Sequence, residues 1–151
     1  MPDKRTIEKA RKDEQEGKSA STQAGEFVHD EIEKVRKGKH GVRSVKQAIA
    51  IGLSEARRSG VELPLPKNAS PELEKKVKQD EEKAKTHKSV SQKRSRARIK
   101  ALKKEPTNTV SRKALSKQAK SAAKQRTATS RSASAKKAAQ TRAKNKKQGN
   151  T

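Results

Sequence analysis

Residues 44–60 read SVKQAIAIGLSEARRSG and carry the most complete set of helix signals in the chain. Ser44 followed three residues later by Gln47 forms a capping-box pattern, which satisfies free backbone N–H groups at a helix start. Gly60 occupies the place where a left-handed residue ends a helix. We therefore predict a helix over residues 45–59 that must pack against a partner, because one side of it is a broad apolar stripe. The stripe consists of Val45, Ile49, Gly52, Leu53 and Ala56.

Residues 22–37, TQAGEFVHDEIEKVRK, supply that partner. Val28, Ile32 and Val35 share one helical face, with Phe27 at its edge. A short glycine-containing turn leads from this segment to Ser44, so the two segments predict an αα-hairpin. The acidic residues of the first helix are expected on its solvent side.

Small residues follow one line along the second helix, at Ala48, Gly52 and Ala56. This line either lets the two helices approach closely or contains a merely tolerated glycine. A glycine inside a helix costs about 1 kcal/mol relative to alanine.

The composition limits how large a core the chain can build. Of its 151 residues, 27% are hydrophobic and 38% are charged, and Phe27 is the only aromatic residue. Such chains bury too little apolar surface to order their full length. We therefore predict an all-α protein: a small helical hairpin (residues 22–37 and 45–59) with a long, partly helical or disordered basic C-terminal arm.

Four segments are expected along the chain. Residues 1–20 form a charged N-terminal segment, and residues 22–66 form the hairpin core with a proline-rich exit. Residues 70–88 form a charged helix, and residues 90–151 form a Lys/Ala/Ser-rich nucleic-acid-binding arm that is helix-compatible in part.

The positive charge is concentrated in the second half of the chain. The net charge is +24, of which residues 83–151 contribute +22 through 23 Lys and Arg residues against the single acid Glu105. Such asymmetry is typical of an arm that binds nucleic acid through its phosphates. Residues 83–151 contain no aromatic side chain for stacking on single-stranded bases, which favours duplex DNA, with RNA as an open alternative. The candidate contacts are Lys93, Arg94, Arg96, Arg98, Lys100, Lys103, Lys104, Arg112, Lys113, Lys117, Lys120, Lys124, Arg126, Lys136, Lys137 and Arg142.

A second candidate anion contact lies at the hairpin turn. It comprises Lys39, Arg43, Ser44 and Lys46, around the free N–H groups that begin the second helix. Ordinary loop charges that favour the ends of two helices explain the same residues equally well.

No set of residues predicts catalysis or a metal site. The chain has no cysteine, and His29, His40 and His87 lack metal-ligand spacing. We therefore expect no enzymatic activity and no cofactor. Without a signal peptide or an apolar span, we expect a cytoplasmic protein. We expect no membrane binding, because the basic tail lacks the bulky apolar face of an interfacial helix.

The core sequence GKHGVRSVKQAIAIGLSEARRSGVELP resembles the KQAIAI-x-LSEAR signature of a family of small, basic, uncharacterised bacterial proteins. The resemblance covers residues 25–66, and the C-terminal region is similar in composition to bacterial linker-histone-like tails. It implies a bacterial DNA-binding protein. The expected function is sequence-nonspecific, histone-like binding of duplex DNA in the nucleoid. RNA or ribosome association remains an alternative, as does a protein-interaction or self-association module built on the hairpin.

Overall fold

The computed structural model describes residues 2–86 and 90–148, and every regular element in them is helical. The all-α prediction is therefore confirmed, and the predicted hairpin helices correspond to α2 and α3. The helices are α1 (Lys4–Gln15), α2 (Ala20–Arg36), α3 (Val45–Arg58), α4 (Pro71–Thr86), α5 (Gln92–Leu102), α6 (Arg112–Gln125) and α7 (Ala128–Gln148), with a 3₁₀ helix at Asn108–Val110.

Both ends of α3 form as its sequence predicts. The Ser44 hydroxyl accepts a hydrogen bond from the Gln47 N–H at 3.2 Å. At the other end Gly60 has φ of 97°, a conformation that L side chains disfavour. The N–H groups of Gly60 and Val61 donate to the carbonyls of Arg57 and Ala56, which is the two-bond pattern of a Schellman motif. Local signals alone thus fix where this helix begins and ends.

Gly52 brings α2 and α3 into close contact. A Cβ atom added to Gly52 would lie 2.6 Å from the Cα atom of Val28, far inside van der Waals distance. The absence of a side chain is therefore what allows the two backbones to approach. Of the two explanations for this glycine, close approach is the one that the geometry supports.

Phe27 stands at the centre of one hydrophobic cluster and is completely buried. Helix α1 reaches this cluster through Ala10, and Val61 closes it from the segment after α3. The core is therefore built from three helices and their exit segment, and the hairpin is only part of it. The buried members are Ala10, Ala24, Phe27, Ala56 and Val61.

A second cluster joins α2 and α3 to a distant part of the chain. Val110, in the 3₁₀ helix, is 1% exposed and packs in this cluster, with Leu102 of α5 packed against it. The buried members are Val35, Val42, Ala48, Ile51 and Val110.

Helix α4 is joined to α3 by a buried polar contact. Asp80 accepts a hydrogen bond from the Ser54 hydroxyl at 2.6 Å and forms an ion pair with Arg58, Nε to Oδ1, at 3.2 Å. Asp80 is 5% exposed, and these partners compensate the cost of burying its charge.

The described chain divides into two compact units, unit 1 ending at Ser111 and unit 2 beginning at Arg112. The prediction of a small hairpin with a long, partly disordered arm is wrong on two counts. First, α1, α4 and the 3₁₀ helix pack onto the hairpin, because alanine, valine and paired polar side chains fill space that a count of bulky residues overlooks.

Second, residues expected to be disordered form the 21-residue helix α7. Alanine, lysine, arginine and glutamine are all strong helix formers, and they dominate this segment. A helix of this length also exceeds the roughly 12–15 residues below which isolated helices are marginal. Disorder was predicted from the low complexity and high charge of this segment. The prediction is wrong because the residues that give the segment these properties, mainly alanine and lysine, also favour the helix.

Candidate nucleic-acid interface

All sixteen cations predicted to contact nucleic acid are exposed in the structure. More broadly, all 20 Lys and Arg side chains of residues 90–147 are exposed. Seven of the predicted contacts, from Lys93 to Lys104, belong to unit 1, and the other nine belong to unit 2.

Helix α5 presents its cations on the side opposite its packed side. Leu102 is half-buried and packs against the second cluster. At about 100° per residue, Lys93, Arg96 and Lys100 lie roughly 120–180° around the helix axis from Leu102. Packing of Leu102 therefore holds these three cations toward solvent.

The loop between α2 and α3 is docked on the end of α5. The Gly41 N–H donates to the Leu102 carbonyl at 2.9 Å, and the Val42 N–H donates to the Pro106 carbonyl at 3.0 Å. The Thr109 hydroxyl in turn donates to the Val42 carbonyl at 2.8 Å. These bonds join two segments that lie far apart in sequence.

This docking places two predicted sites on one edge of unit 1. Lys39 and Lys46 flank the docked loop, and Lys103 and Lys104 follow directly after α5. All four side chains are exposed. The hairpin turn and the basic segment are far apart in sequence and were predicted as separate sites. The one sequence signal for this junction is the glycine at position 41. A Cβ atom there would overlap the Glu105 carbonyl oxygen, so the close approach of the two segments needs a glycine.

Two residues of the candidate anion contact have structural partners. Arg43 forms an ion pair with Glu105, Nε to Oε1, at 3.0 Å. Glu105 is the only acid of residues 83–151, so this contact neutralises it. The Ser44 hydroxyl is engaged in capping α3 through Gln47. Arg43 nevertheless keeps a side chain that is 78% exposed.

Helix α6 carries a narrow stripe of lysines. Lys113, Lys117, Lys120 and Lys124 fall within an arc of about 60° around its axis, at about 100° per residue. Ala114, Leu115 and Gln118 are half-buried and lie on another side of the helix. We call these four residues the α6 stripe.

Helix α7 differs from α6 because its cations surround the axis. Relative to Lys136, Lys137 lies about 100° and Arg142 about 240° around the helix. The Arg126 guanidinium donates to the Ser130 carbonyl at 3.1 Å and also to the Ser134 hydroxyl, which fixes Arg126 along the first turns of α7. Helix α7 therefore offers positive charge in every direction, whereas α6 offers one charged face.

A buried group of charges lies between α2 and α3, where the sequence prediction was wrong. The acids of α2 were expected in solvent, yet Glu31 is 2% exposed, with Oε1 3.5 Å from His40 Nε2. Lys34 pairs with Asp30 at 2.7 Å and with Glu55 at 3.9 Å. A helical wheel places acids on the polar side but does not reveal that a loop histidine folds over that side.

Burial raises the pKa of Glu31 above its ordinary value, and the Glu55 carboxylate acts in the same direction. His40, Lys34 and Arg98 act in the opposite direction without cancelling this rise. Of the other two histidines, His29 is exposed, and His87 lies outside the described residues.

A protein-family model matches part of the chain. Residues 16–68 match the sequence model of a family of unknown function, DUF6496. The match extends from the end of α1 through α2 and α3 to the proline-rich segment, and it includes the residues of the KQAIAI-x-LSEAR signature. No curated protein and no solved structure matches the chain. Within residues 2–86 and 90–148, no helical segment combines the length and the apolar character that a transmembrane span requires.

Proposed function

We propose that this protein binds duplex DNA without sequence preference, through phosphate contacts, as a non-enzymatic, histone-like component of the bacterial nucleoid. One observation carries the proposal: all 20 cations of residues 90–147 are exposed, while the one acid among them is paired with Arg43. The exposed charge is therefore almost entirely of one sign, and it is free to meet a polyanion.

The mechanism is release of condensed counterions. Each Lys or Arg that approaches a phosphate displaces a cation from the DNA, so affinity falls linearly with salt on logarithmic axes. Phosphate contacts of this kind position a protein on DNA but carry little sequence information. The α6 stripe suits such contacts because its four lysines point the same way, and α7 adds charge that needs no particular orientation.

Replacing the α6 stripe tests the proposal in the full chain. The variant K113Q/K117Q/K120Q/K124Q removes four charges from one face. If all four lysines contact phosphates, the slope of log affinity against log salt should fall by about 3.6, at roughly 0.9 per contact. The measurement is a shift assay on random-sequence duplex DNA at several salt concentrations.

A matched variant controls for net charge. K4Q/K67Q/K75Q/K78Q removes four exposed lysines from residues 2–86, outside the predicted interface. It should leave the slope nearly unchanged. Equal slopes for the two variants would contradict the proposal, because only total charge would then matter. Tighter binding to structured RNA than to DNA in the same assay would assign the interface to RNA.

A further inference from the structure

A cleft opens in unit 1 between α3, α4 and α5, and its volume is about 440 Å³. Ala50 and Ile51 of α3 and Ala101 and Leu102 of α5 supply apolar lining. The volume falls within the roughly 300–1,000 Å³ typical of small-ligand pockets. The cleft is separate from the exposed face of α5 that carries Lys93, Arg96 and Lys100, none of which lines it.

The charge of the cleft is strongly positive. Four cations line it, namely Arg58, Lys76, Lys83 and Arg98, against the single acid Asp80. Asp80 is already engaged by the Ser54 hydroxyl and by Arg58. In the described residues no acidic group forms an ion pair with the other three cations.

Arg58 is held firmly by α3 itself. Its Nε donates to the Ser54 carbonyl at 3.2 Å, and one terminal nitrogen donates to the Ser54 hydroxyl at 2.8 Å. The Asp80–Ser54–Arg58 contact therefore serves as a neutral, rigid wall. Lys76, Lys83 and Arg98 are the exposed charges around it, and they come from two different helices.

Two amides add hydrogen-bonding groups to the lining. Gln47 and Gln79 both line the cleft. The Gln47 side-chain oxygen already accepts a 2.7 Å hydrogen bond from the Arg43 N–H, which leaves its NH₂ group as a donor. The lining of the cleft therefore offers more hydrogen-bond donors and positive charges than free acceptors, which favours binding of an anion.

We propose that this cleft binds a small phosphorylated anion, either pyrophosphate or a phosphate ester with a small carbon skeleton. Lys83 and Arg98 contact the phosphate oxygens from opposite helices, and the Gln47 amide donates a further hydrogen bond. The alanine and isoleucine surface accommodates an aliphatic portion, whereas no aromatic residue is present to stack on a base. Of the sixteen predicted nucleic-acid contacts, Arg98 alone lines the cleft, so the two sites share one residue and the cleft does not otherwise depend on duplex binding.

The test is titration of the full-length protein with inorganic pyrophosphate, a pentose phosphate and a nucleoside diphosphate. Titration in roughly 0.3 M salt screens diffuse attraction to the many exposed charges. Calorimetry should give saturable binding of one ligand per chain. The relative affinities of the three probes should show which kind of phosphate compound the cleft prefers. Backbone amide NMR signals of Ala50 and Ala101 should shift, while those of α7 should not.

Two variants of equal charge separate the cleft from general polycation behaviour. K83Q/R98Q removes one cation from each of two cleft walls, whereas K78Q/R94Q removes exposed cations of the same helices that do not line the cleft. The first should weaken pyrophosphate binding about tenfold or more, since two charge-assisted hydrogen bonds are lost, and the second less than about twofold. Circular dichroism should show unchanged helix content in both, because all four side chains are exposed.

Equal weakening by the two variants would overturn the proposal, and so would binding of several ligands per chain with shifts spread over α6 and α7. Competition with duplex DNA supplies a second criterion. If K83Q/R98Q lost duplex affinity as strongly as pyrophosphate affinity, the cleft would be part of the duplex surface, and the proposal of a separate small-anion site would fail.

Discussion

Phe27 and Val35 of unit 1 lose all exposure to solvent, whereas none of residues 112–147 in unit 2 is buried. Helices of unit 1 persist because they bury apolar and paired polar groups against one another. Helices of unit 2 depend on the intrinsic preference of alanine, lysine and glutamine for the helical backbone. A helical chain can therefore hold together in one part by tertiary packing and in another by propensity. The two parts should respond differently to mutation, pH and salt.

Truncating Phe27 should have the largest effect on stability, and this effect should be confined to unit 1. Phe27→Ala should lower the free energy of unfolding of unit 1 by about 3–5 kcal/mol, the usual cost of truncating a buried aromatic ring. Amide exchange measured by NMR should show protection lost throughout α1–α3 while α7 is unchanged.

Leu73→Ala serves as the comparison, because Leu73 is 38% exposed and should cost much less. If Phe27→Ala also removed the helical signals of α7, helix propensity alone would not account for α7, and the contrast would be wrong.

Gly52→Ala should have the next largest effect. The added methyl group would collide with the backbone of Val28, and such overpacking typically costs about 1–3 kcal/mol. Thermal and urea unfolding followed by circular dichroism would measure the loss.

Gly25→Ala provides a matched control in the neighbouring helix. Nothing lies within 4 Å of a Cβ added there, so alanine should stabilise α2 by up to about 1 kcal/mol through its helix propensity. Opposite signs for the two variants would locate the close approach at Gly52. The same sign for both would contradict it.

Glu31→Gln should make the stability of unit 1 less dependent on pH. Burial raises the pKa of Glu31 in the folded state, so the folded protein holds this proton more tightly than the unfolded chain does. The stability that this proton provides is fully present below the ordinary pKa of a carboxyl group. It is lost as the pH rises through the raised pKa of Glu31 in the folded protein. The variant should therefore gain in melting temperature over the parent as pH rises to neutrality.

Glu33→Gln makes the same change in charge at a half-exposed position of α2. The difference in melting temperature between Glu33→Gln and the parent should change less with pH than the difference for Glu31→Gln. Parallel melting curves for Glu31→Gln and the parent at all pH values would show that burial of Glu31 does not govern this dependence.

The smallest effect is expected at the start of α7. The Thr127 hydroxyl accepts a hydrogen bond from the Ser130 N–H at 3.2 Å. Thr127→Ala should cost about 0.5–1 kcal/mol of helix stability, as loss of a cap does. The loss should appear as faster amide exchange in the first turn of α7, with no change in the melting of unit 1. A lower melting temperature for unit 1 would contradict a purely local effect of this cap.

The parts of this fold that sequence predicts well are those set by neighbouring residues. Ser44, Gln47 and Gly60 mark the ends of α3 within a few positions, and the hydrogen bonds follow. Val110 carries no such signal, because it is a single apolar residue in a polar segment. It is nevertheless buried. Its carbonyl accepts a hydrogen bond from the guanidinium of Arg36, which lies 74 residues earlier in the sequence. Helix α7 was missed for a different reason, since its charge concealed its helix propensity.

The candidate interface divides in the same way. Which residues carry the positive charge, and that they are exposed, follows from composition, because lysine and arginine are rarely buried without a partner. The junction of the α2–α3 loop with α5 does not follow, since backbone hydrogen bonds of Gly41 and Val42 create it. The cleft that Arg98 lines was also missed, because it needs α3, α4 and α5 together.

The docking of the Thr109 hydroxyl on the Val42 carbonyl, across 67 residues, also sets an order of events during synthesis. A nascent chain that ends shortly after α3 already contains both hairpin helices and most of the Phe27 cluster. It lacks Val110, so the cluster around Val35 and Ile51 stays open to water until the ribosome has added some fifty further residues. Closing so long a loop slows folding relative to local helix formation. The hairpin should therefore form early, with one apolar side exposed until Val110 reaches it.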